Sequence, residues 1–303
     1  MKPQDILLGV IVMVVWGMNF AFGKIAMTEF SPMMLVGLRY LLTAILLVPF
    51  LRWRGIKFLH IFGLSVTLGV LHFAFMFTGL KGTDASLAAI AAQIQVPFAV
   101  ILAVIFFRER PNRRQILGIA IAFAGVAMLA GAPKTSSSLF DLGLVIIAAL
   151  LWGLAHIQVK WMGAINPFVL NAWMSVLAAP MILGSSFIFE DGQWEALQTA
   201  GTAGWGGVIY MAVGVTIFGY GIWYKILQKY DVSQTMPLTI LAPLVGAASG
   251  ITFLGEHMDA FQIAGAALTI VGVGAVTIGR SAPSPKLEAG VDSEAKAEAK
   301  AEG

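Results

Sequence analysis

WGMNFAFGK, Trp16–Lys24, is answered later in the chain by WGLAHIQVK, Trp152–Lys160, which repeats its Trp-Gly opening and its closing lysine at an offset of 136. Further on, Asp84, Glu109, Gly118 and Gly125 return as Asp231, Glu256, Gly265 and Gly272, each at an offset of 147. The second copy therefore carries eleven more residues, most economically placed near Asp191 to Gly201. Both copies are apolar throughout. Duplicated membrane halves are the usual build of a carrier whose binding site lies between the repeats.

Of the 303 residues, 58% are hydrophobic and 12% are charged, far from the balance of a soluble domain. A bilayer-crossing helix needs about 20 apolar residues. Ten runs qualify: 6–28, 32–50, 58–80, 85–107, 114–131, 140–161, 167–189, 203–225, 233–254 and 261–279. Short connections leave no room for a soluble domain. The expected fold is all-α and integral to the membrane, with ten transmembrane helices. The first run lacks a small-residue cleavage site and reads as a retained helix rather than a signal peptide. Cysteine is absent, which excludes disulfides and thiolate chemistry.

Charge sets orientation. If the helices alternate, Lys2, Arg52, Arg54, Lys57, Arg108, Arg110, Arg113, Arg114, Lys160, Lys225, Lys229 and Arg280 share one side. Lys24, Lys81 and Lys134 fall on the other. The basic side is cytoplasmic by the positive-inside rule, so both termini are expected there. Five helices per half is an odd number, so the second half enters from the opposite side and the repeats are inverted. The expected domains are 1–134 and 135–280, two inverted five-helix repeats around a central cavity. Residues 281–303, rich in Ala, Glu and Lys, read as a disordered cytoplasmic tail. The net charge of +3 does not indicate nucleic acid, because the basic residues sit in short loops.

At ~1.5 Å per helical residue, Asn19, His72, Gln93, Gln95 and Trp152 all fall in the central slab. Polar groups there face the bundle interior. They either line a cavity or join helices by hydrogen bonds. Gln93 and Gln95 point ~200° apart on an ideal helix, so one of the two faces a ligand. Pro97 removes an amide hydrogen bond beside them, as Pro237 and Pro243 do in the repeat partner. Arg39 is the one arginine inside an apolar run. It is either a ligand contact or part of a fixed ion pair with Glu29 or Asp84. Tyr220 and Trp223 are candidates to close one side of the pocket. His156 reads as satisfied by nearby backbone, Lys24 and Lys160 as snorkelling, and Glu109 and Glu256 as helix-end carboxylates before helices five and ten. The small-residue stripes Gly118, Ala122, Gly125 and Gly265, Thr269, Gly272 indicate close helix packing.

The strings WGMNFAFGK, PMMLVGLRYLL (Pro32–Leu42), AQIQVPF (Ala92–Phe98), FFRERP (Phe106–Pro111), FGYGIWYKIL (Phe218–Leu227) and PLTILAPLVGAASG (Pro237–Gly250) resemble the EamA branch of the drug/metabolite transporter superfamily. The resemblance covers residues 5–280. It implies ten helices, inverted halves, both termini in the cytoplasm of a bacterial inner membrane, and export of amino acids and related small metabolites. Relatives of this kind include exporters of aromatic amino acids and of O-acetylserine or cysteine. Gln93 and Gln95 match the two glutamines such exporters carry in helix four. His72 stands where the cysteine-type exporters often have Gln, a departure from their pattern.

Gly79-Leu80-Lys81-Gly82-Thr83 lacks the spacing of a phosphate-binding loop, so no nucleotide drive is implied. All sixteen acids lie at helix ends, loops or tail. Movement is then facilitative, or weakly proton-coupled through His72. The aromatic content suits a broad pocket for neutral and aromatic amino acids. The expected partners are the bilayer and a small-molecule substrate, with no cofactor, metal or nucleic acid. Export of other metabolites or drugs is the alternative within the same class. A channel or a structural membrane protein is the alternative outside it. An intramembrane enzyme would need a nucleophile, base or metal cluster at one depth, and His72 and His156 lie at different heights.

Overall fold

The computed structural model describes residues 1–51, 57–131, 138–163, 165–230 and 232–278. Arg52, Arg54, Lys134, Asp231, Arg280 and the tail 281–303 lie outside the described residues. The described chain is helical, with no strand. Its main elements are α1 (Pro3–Ala26), α2 (Pro32–Leu46), α3 (Phe58–Gly82), α4 (Ala85–Phe107) and α5 (Arg113–Ala130). They continue as α6 (Leu139–Met162), α7 (Pro167–Phe189), α8 (Thr202–Leu227), α9 (Val232–Thr239 resumed as Leu241–Leu254) and α10 (Ala260–Ile278). Eight of these are long and apolar enough to cross a membrane, while Pro32–Leu46 and Leu241–Leu254 are apolar but shorter. The short helix Gln193–Thr199 occupies the loop to which the extra residues of the second copy were assigned.

Local sequence sets the helix ends. Pro3, Pro32 and Pro167 open α1, α2 and α7, where the missing amide leaves no intrahelical bond unmade. Asn112 and Gln115 cap α5 reciprocally, at 2.9 and 3.0 Å. Asp259 and Gln262 do the same for α10, at 2.9 and 2.8 Å, shifted by the same offset of 147. The carboxylates of Glu109 and Glu256 are therefore not the caps of α5 and α10. Each instead follows a left-handed residue, Arg108 (φ 54) or Gly255 (φ 66), that turns the chain at a helix end. Glu256 reaches across to the start of α4. Its carboxylate accepts the Ala85 amide at 2.6 Å and the Ser86 amide at 2.8 Å, and lies 3.5 Å from the Lys24 ammonium. Lys24 does not snorkel freely, since it also donates to the Thr83 carbonyl at 2.6 Å. Lys160 pairs with Glu109 in the equivalent way at 2.5 Å.

Two helices carry π-helical stretches, Ser65–His72 in α3 and Tyr210–Tyr220 in α8. Shifted by 147, the first falls within the second. Two more helices break at matching places. Pro97 has no amide for the Gln93 carbonyl, and α4 tightens to a 3₁₀ turn over Ala92–Ile94. Pro243 likewise has no amide to offer the turn before it, and α9 breaks at Ile240.

Close packing rests on small residues. A Cβ on Gly118 would meet the Gly272 carbonyl at 2.8 Å, and one on Gly125 the Gly265 carbonyl at 2.7 Å. The two small-residue stripes thus face each other, with Gly118 against Gly272 and Gly125 against Gly265. A Cβ on Gly17 of α1 would lie 2.9 Å from the Gly246 amide of α9, and one on Gly153 of α6 lies 3.1 Å from the Ala99 amide of α4. These backbone approaches replace the hydrophobic drive that lipid does not supply. Large apolar side chains such as Leu59, Ile188 and Ile105 point outward instead.

Candidate functional site

The centre of the site is a charge inside the bundle. Arg39 lies two turns into α2 and is only 3% exposed. Its Nη2 donates to Thr216 Oγ1 of α8 at 3.1 Å. The guanidinium carbon stands 4.5 Å from the Phe73 ring centre of α3 and 5.4 Å from that of Tyr40. The ion pairs among the described residues join Lys24–Glu256, Lys160–Glu109 and Lys229–Asp5, and none includes Arg39. Glu29 is engaged elsewhere, accepting the Gly201 and Gly204 amides at 2.8 and 2.6 Å. A fixed ion pair is thus not what holds Arg39.

Magnitudes sharpen the point. A hydrogen bond to a charged group contributes ~1.5–3 kcal/mol, and a desolvated cation–π contact ~2 kcal/mol. Burying an unpaired ion costs several kcal/mol even after relaxation. The two contacts at best offset that cost, and Nε and Nη1 remain buried with no acceptor among the described residues. The Tyr40 hydroxyl and Asn19 Oδ1 are likewise buried without a partner among the described residues.

The π-helical stretch of α8 organises the neighbours. Its wide turn lets the Thr216 hydroxyl donate to the Met211 carbonyl, five residues back, at 2.9 Å while accepting from Arg39. The adjacent Val215 carbonyl accepts the Trp16 indole N–H at 3.2 Å. Gly219 makes room for that indole, since a Cβ there would meet its Nε1 at 2.4 Å. Trp16 in turn packs against Tyr220 and Trp223, with ring centres 5.1 and 5.9 Å apart. Asn19 follows Trp16 by one helical turn. From the other side, His72 is 4% exposed, and its Nδ1 donates to the Ala148 carbonyl of α6 at 2.7 Å. Its ring meets Phe73 edge-on at 4.6 Å. Arg39, Phe73 and His72 thus form one connected row.

Of the residues singled out from the sequence, the structure gathers Arg39 and His72 in this row and sets Tyr220 and Trp223 around Trp16. They are packed in protein rather than spread along an open wall. Gln93 lies within the 3₁₀ turn of α4 and Gln95 at the start of the helix resumed after it; both are half-buried and make no side-chain hydrogen bond to another described residue. Trp152 stacks on His156 at 3.5 Å, and His156 Nδ1 lies 3.0 Å from the Trp152 carbonyl. No ring contact or hydrogen bond joins these three to Arg39 among the described residues. Two members of the row were missed. Tyr40 adjoins Arg39 in sequence, and Thr216 is a hydroxyl in an otherwise apolar run; the depth count that found Asn19 reaches both.

The arrangement is a two-half, all-helical membrane body around a buried polar row, and the family model for EamA-like transporters matches it twice, over residues 4–131 and 140–278. The chain belongs to the EamA-like transporter family. It is a membrane transporter and not an enzyme. Among its relatives, a probable amino-acid metabolite efflux pump of Salmonella typhimurium is 33% identical over 282 residues, spanning 90% of this chain and 94% of the relative. A protein of the same description from Escherichia coli K12 is 31% identical over the same shares. An uncharacterised transporter of Archaeoglobus fulgidus is 26% identical over 90% of this chain and 97% of its own. One solved crystal structure superimposes with a TM-score of 0.63 at 16% identity, covering 92% of this chain and 98% of that one. At that identity the likeness is one of fold. For this EamA-like transporter, a small-molecule cargo and a position in the membrane follow from the family.

Proposed function

We propose that this transporter exports amino acids and related small metabolites by alternating access between two inverted five-helix halves, without coupling to an ion. The observation that carries the reading is the Arg39–Thr216 hydrogen bond. It joins the first half to the second inside the buried row, where a carrier built of repeats holds its substrate. Asn19, Arg39, His72, Tyr220 and Trp223 line the site. Gln93, Gln95 and Trp152 lie along the α4 and α6 segments that open onto it during the cycle. The efflux pumps at 31–33% identity supply the substrate class.

The repeat-related contacts support the inverted arrangement. Gly118–Gly272 and Gly125–Gly265 exchange under the offset of 147, and so do Glu109 and Glu256. Ten crossings need α2 and α9 as well. Val48–Phe50 extends α2, and Val232–Thr239 extends Leu241–Leu254. With the basic loops cytoplasmic, Lys24 and Glu256 stand at the outer face and Lys160 and Glu109 at the inner. The Glu256 side chain is 8% exposed and that of Glu109 42%, which favours a carrier closed outside.

Uptake of a panel of labelled neutral and aromatic amino acids into proteoliposomes tests the proposal. Saturable uptake with counterflow, indifferent to an imposed pH gradient, is the expected result. His72→Gln is expected to shift uptake by no more than roughly fivefold, the worth of one hydrogen bond, and to leave its pH profile unchanged. Uptake without saturation would indicate a channel, and a pH profile altered by His72→Gln would establish coupling through that residue.

A further inference from the structure

We infer that Arg39 receives the carboxylate of the transported molecule and that the site needs no ammonium group on it. The substrate class is then a small monocarboxylate: an amino acid, or its N-acylated or deaminated metabolite. The inference rests on the carrier reading above and narrows it.

Three observations carry it. Nε and Nη1 of Arg39 are buried and have no acceptor among the described residues, so donors for an anion stand ready in a site sheltered from water. A guanidinium edge matches a carboxylate in plane and spacing, so the second N–H of Nη2 together with that of Nη1 or Nε can bind it with paired charge-assisted hydrogen bonds. The fork is already oriented, since Thr216 fixes Nη2 and the Phe73 ring supports the guanidinium from 4.5 Å. The third observation concerns the opposite charge. Every acid among the described residues stands at a helix end or in a connection. Glu29 is held by the Gly201 and Gly204 amides, Glu190 by Ser31, Met33 and Met34, and Glu256 by Ala85 and Ser86. None faces Arg39. An ammonium entering beside the guanidinium would meet a like charge and no carboxylate. Recognition through the carboxylate alone follows.

The test uses the wild-type transporter in proteoliposomes, loaded with whichever amino acid shows saturable uptake. Four competitors are compared: the free acid, its N-acetyl derivative, its methyl ester and its amide. The free acid and the N-acetyl derivative are expected to compete, and the ester and amide to be weaker by roughly tenfold or more. Arg39→Gln is expected to remove that difference, and Arg39→Lys, which keeps the charge without the fork, to retain part of it. An ester that competes as well as the acid overturns the inference while leaving the carrier intact. So does loss of competition by the N-acetyl derivative. Absence of saturable uptake for the whole panel overturns the carrier reading, and this inference with it.

Discussion

Thr216 is the residue on which the geometry of Arg39 depends, because its hydroxyl is the one hydrogen-bond acceptor the guanidinium has among the described residues. Thr216→Val keeps the shape and removes the acceptor. A bond to a charged group is worth ~1.5–3 kcal/mol, so KM for uptake is expected to rise by roughly tenfold or more. Thr216→Ser should restore the wild-type value, and initial-rate uptake assays measure both. A second residue-scale prediction concerns backbone conformation. Arg108 and Gly255 are both left-handed, and a side chain there costs ~1–2 kcal/mol. Gly255→Ala should lower thermal stability in detergent by that amount, whereas Arg108→Gly should not. Counting depth in an apolar run pointed to Arg39 and His72, which the structure joins through Phe73, whereas Tyr220 and Trp223 were singled out only as aromatics of the eighth helix. Sequence did not reveal that Arg39 lacks an acid partner, since Glu29 stands close enough in sequence to suggest one. Only the Gly201 and Gly204 amides, brought from the second half, show where that carboxylate goes.

Among elements, the contact between α5 and α10 is the tightest backbone approach of the described chain. A Cβ on Gly272 would fall 2.4 Å from the Ala122 amide and 2.6 Å from the Gly118 carbonyl, atoms that cannot turn aside. Overpacking of a core costs ~1–3 kcal/mol. Gly272→Leu is expected to reach or exceed the upper end, seen as loss of the monodisperse species in size-exclusion chromatography. Gly184→Ala, with nothing within 4 Å of the added carbon, is the matched control and should behave as wild type. Helix positions were readable from hydropathy to within a few residues, because bilayer thickness fixes run length. The π-helical stretches were not readable. In α8 the Val215 carbonyl takes the Trp16 indole N–H and the Met211 carbonyl takes the Thr216 hydroxyl, which in turn accepts from Arg39, and both Trp16 and Arg39 are remote in sequence from α8. The lysines at the ends of α1 and α6 read from sequence as snorkelling groups for the same reason, since their carboxylate partners Glu256 and Glu109 come from the other half of the chain.

For the molecule as a whole, the proposed cycle predicts that the two carboxylates act against each other across the membrane. Ser86 is 1% exposed and its amide is held by Glu256, so Ser86→Cys is a near-isosteric reporter in a chain that has no cysteine of its own. An impermeant maleimide added from outside should label it slowly in the wild-type background and faster with Glu256→Gln. Glu109→Gln, at the opposite face, weakens only the inner closure and should slow labelling further. If Glu109→Gln leaves the labelling rate unchanged, the two carboxylates do not share one conformational equilibrium. The pairing of Gly118 with Gly272 and Gly125 with Gly265 has a separate consequence. A surface whose contact with its counterpart is reciprocal is also complementary to itself. On the inverted arrangement proposed above, the seam that now joins two halves of one chain is therefore one that two identical half-length chains, antiparallel in the bilayer and related by a two-fold axis, would form with each other. Gene fusion would then have fixed an ancestral dimer rather than invented a new interface.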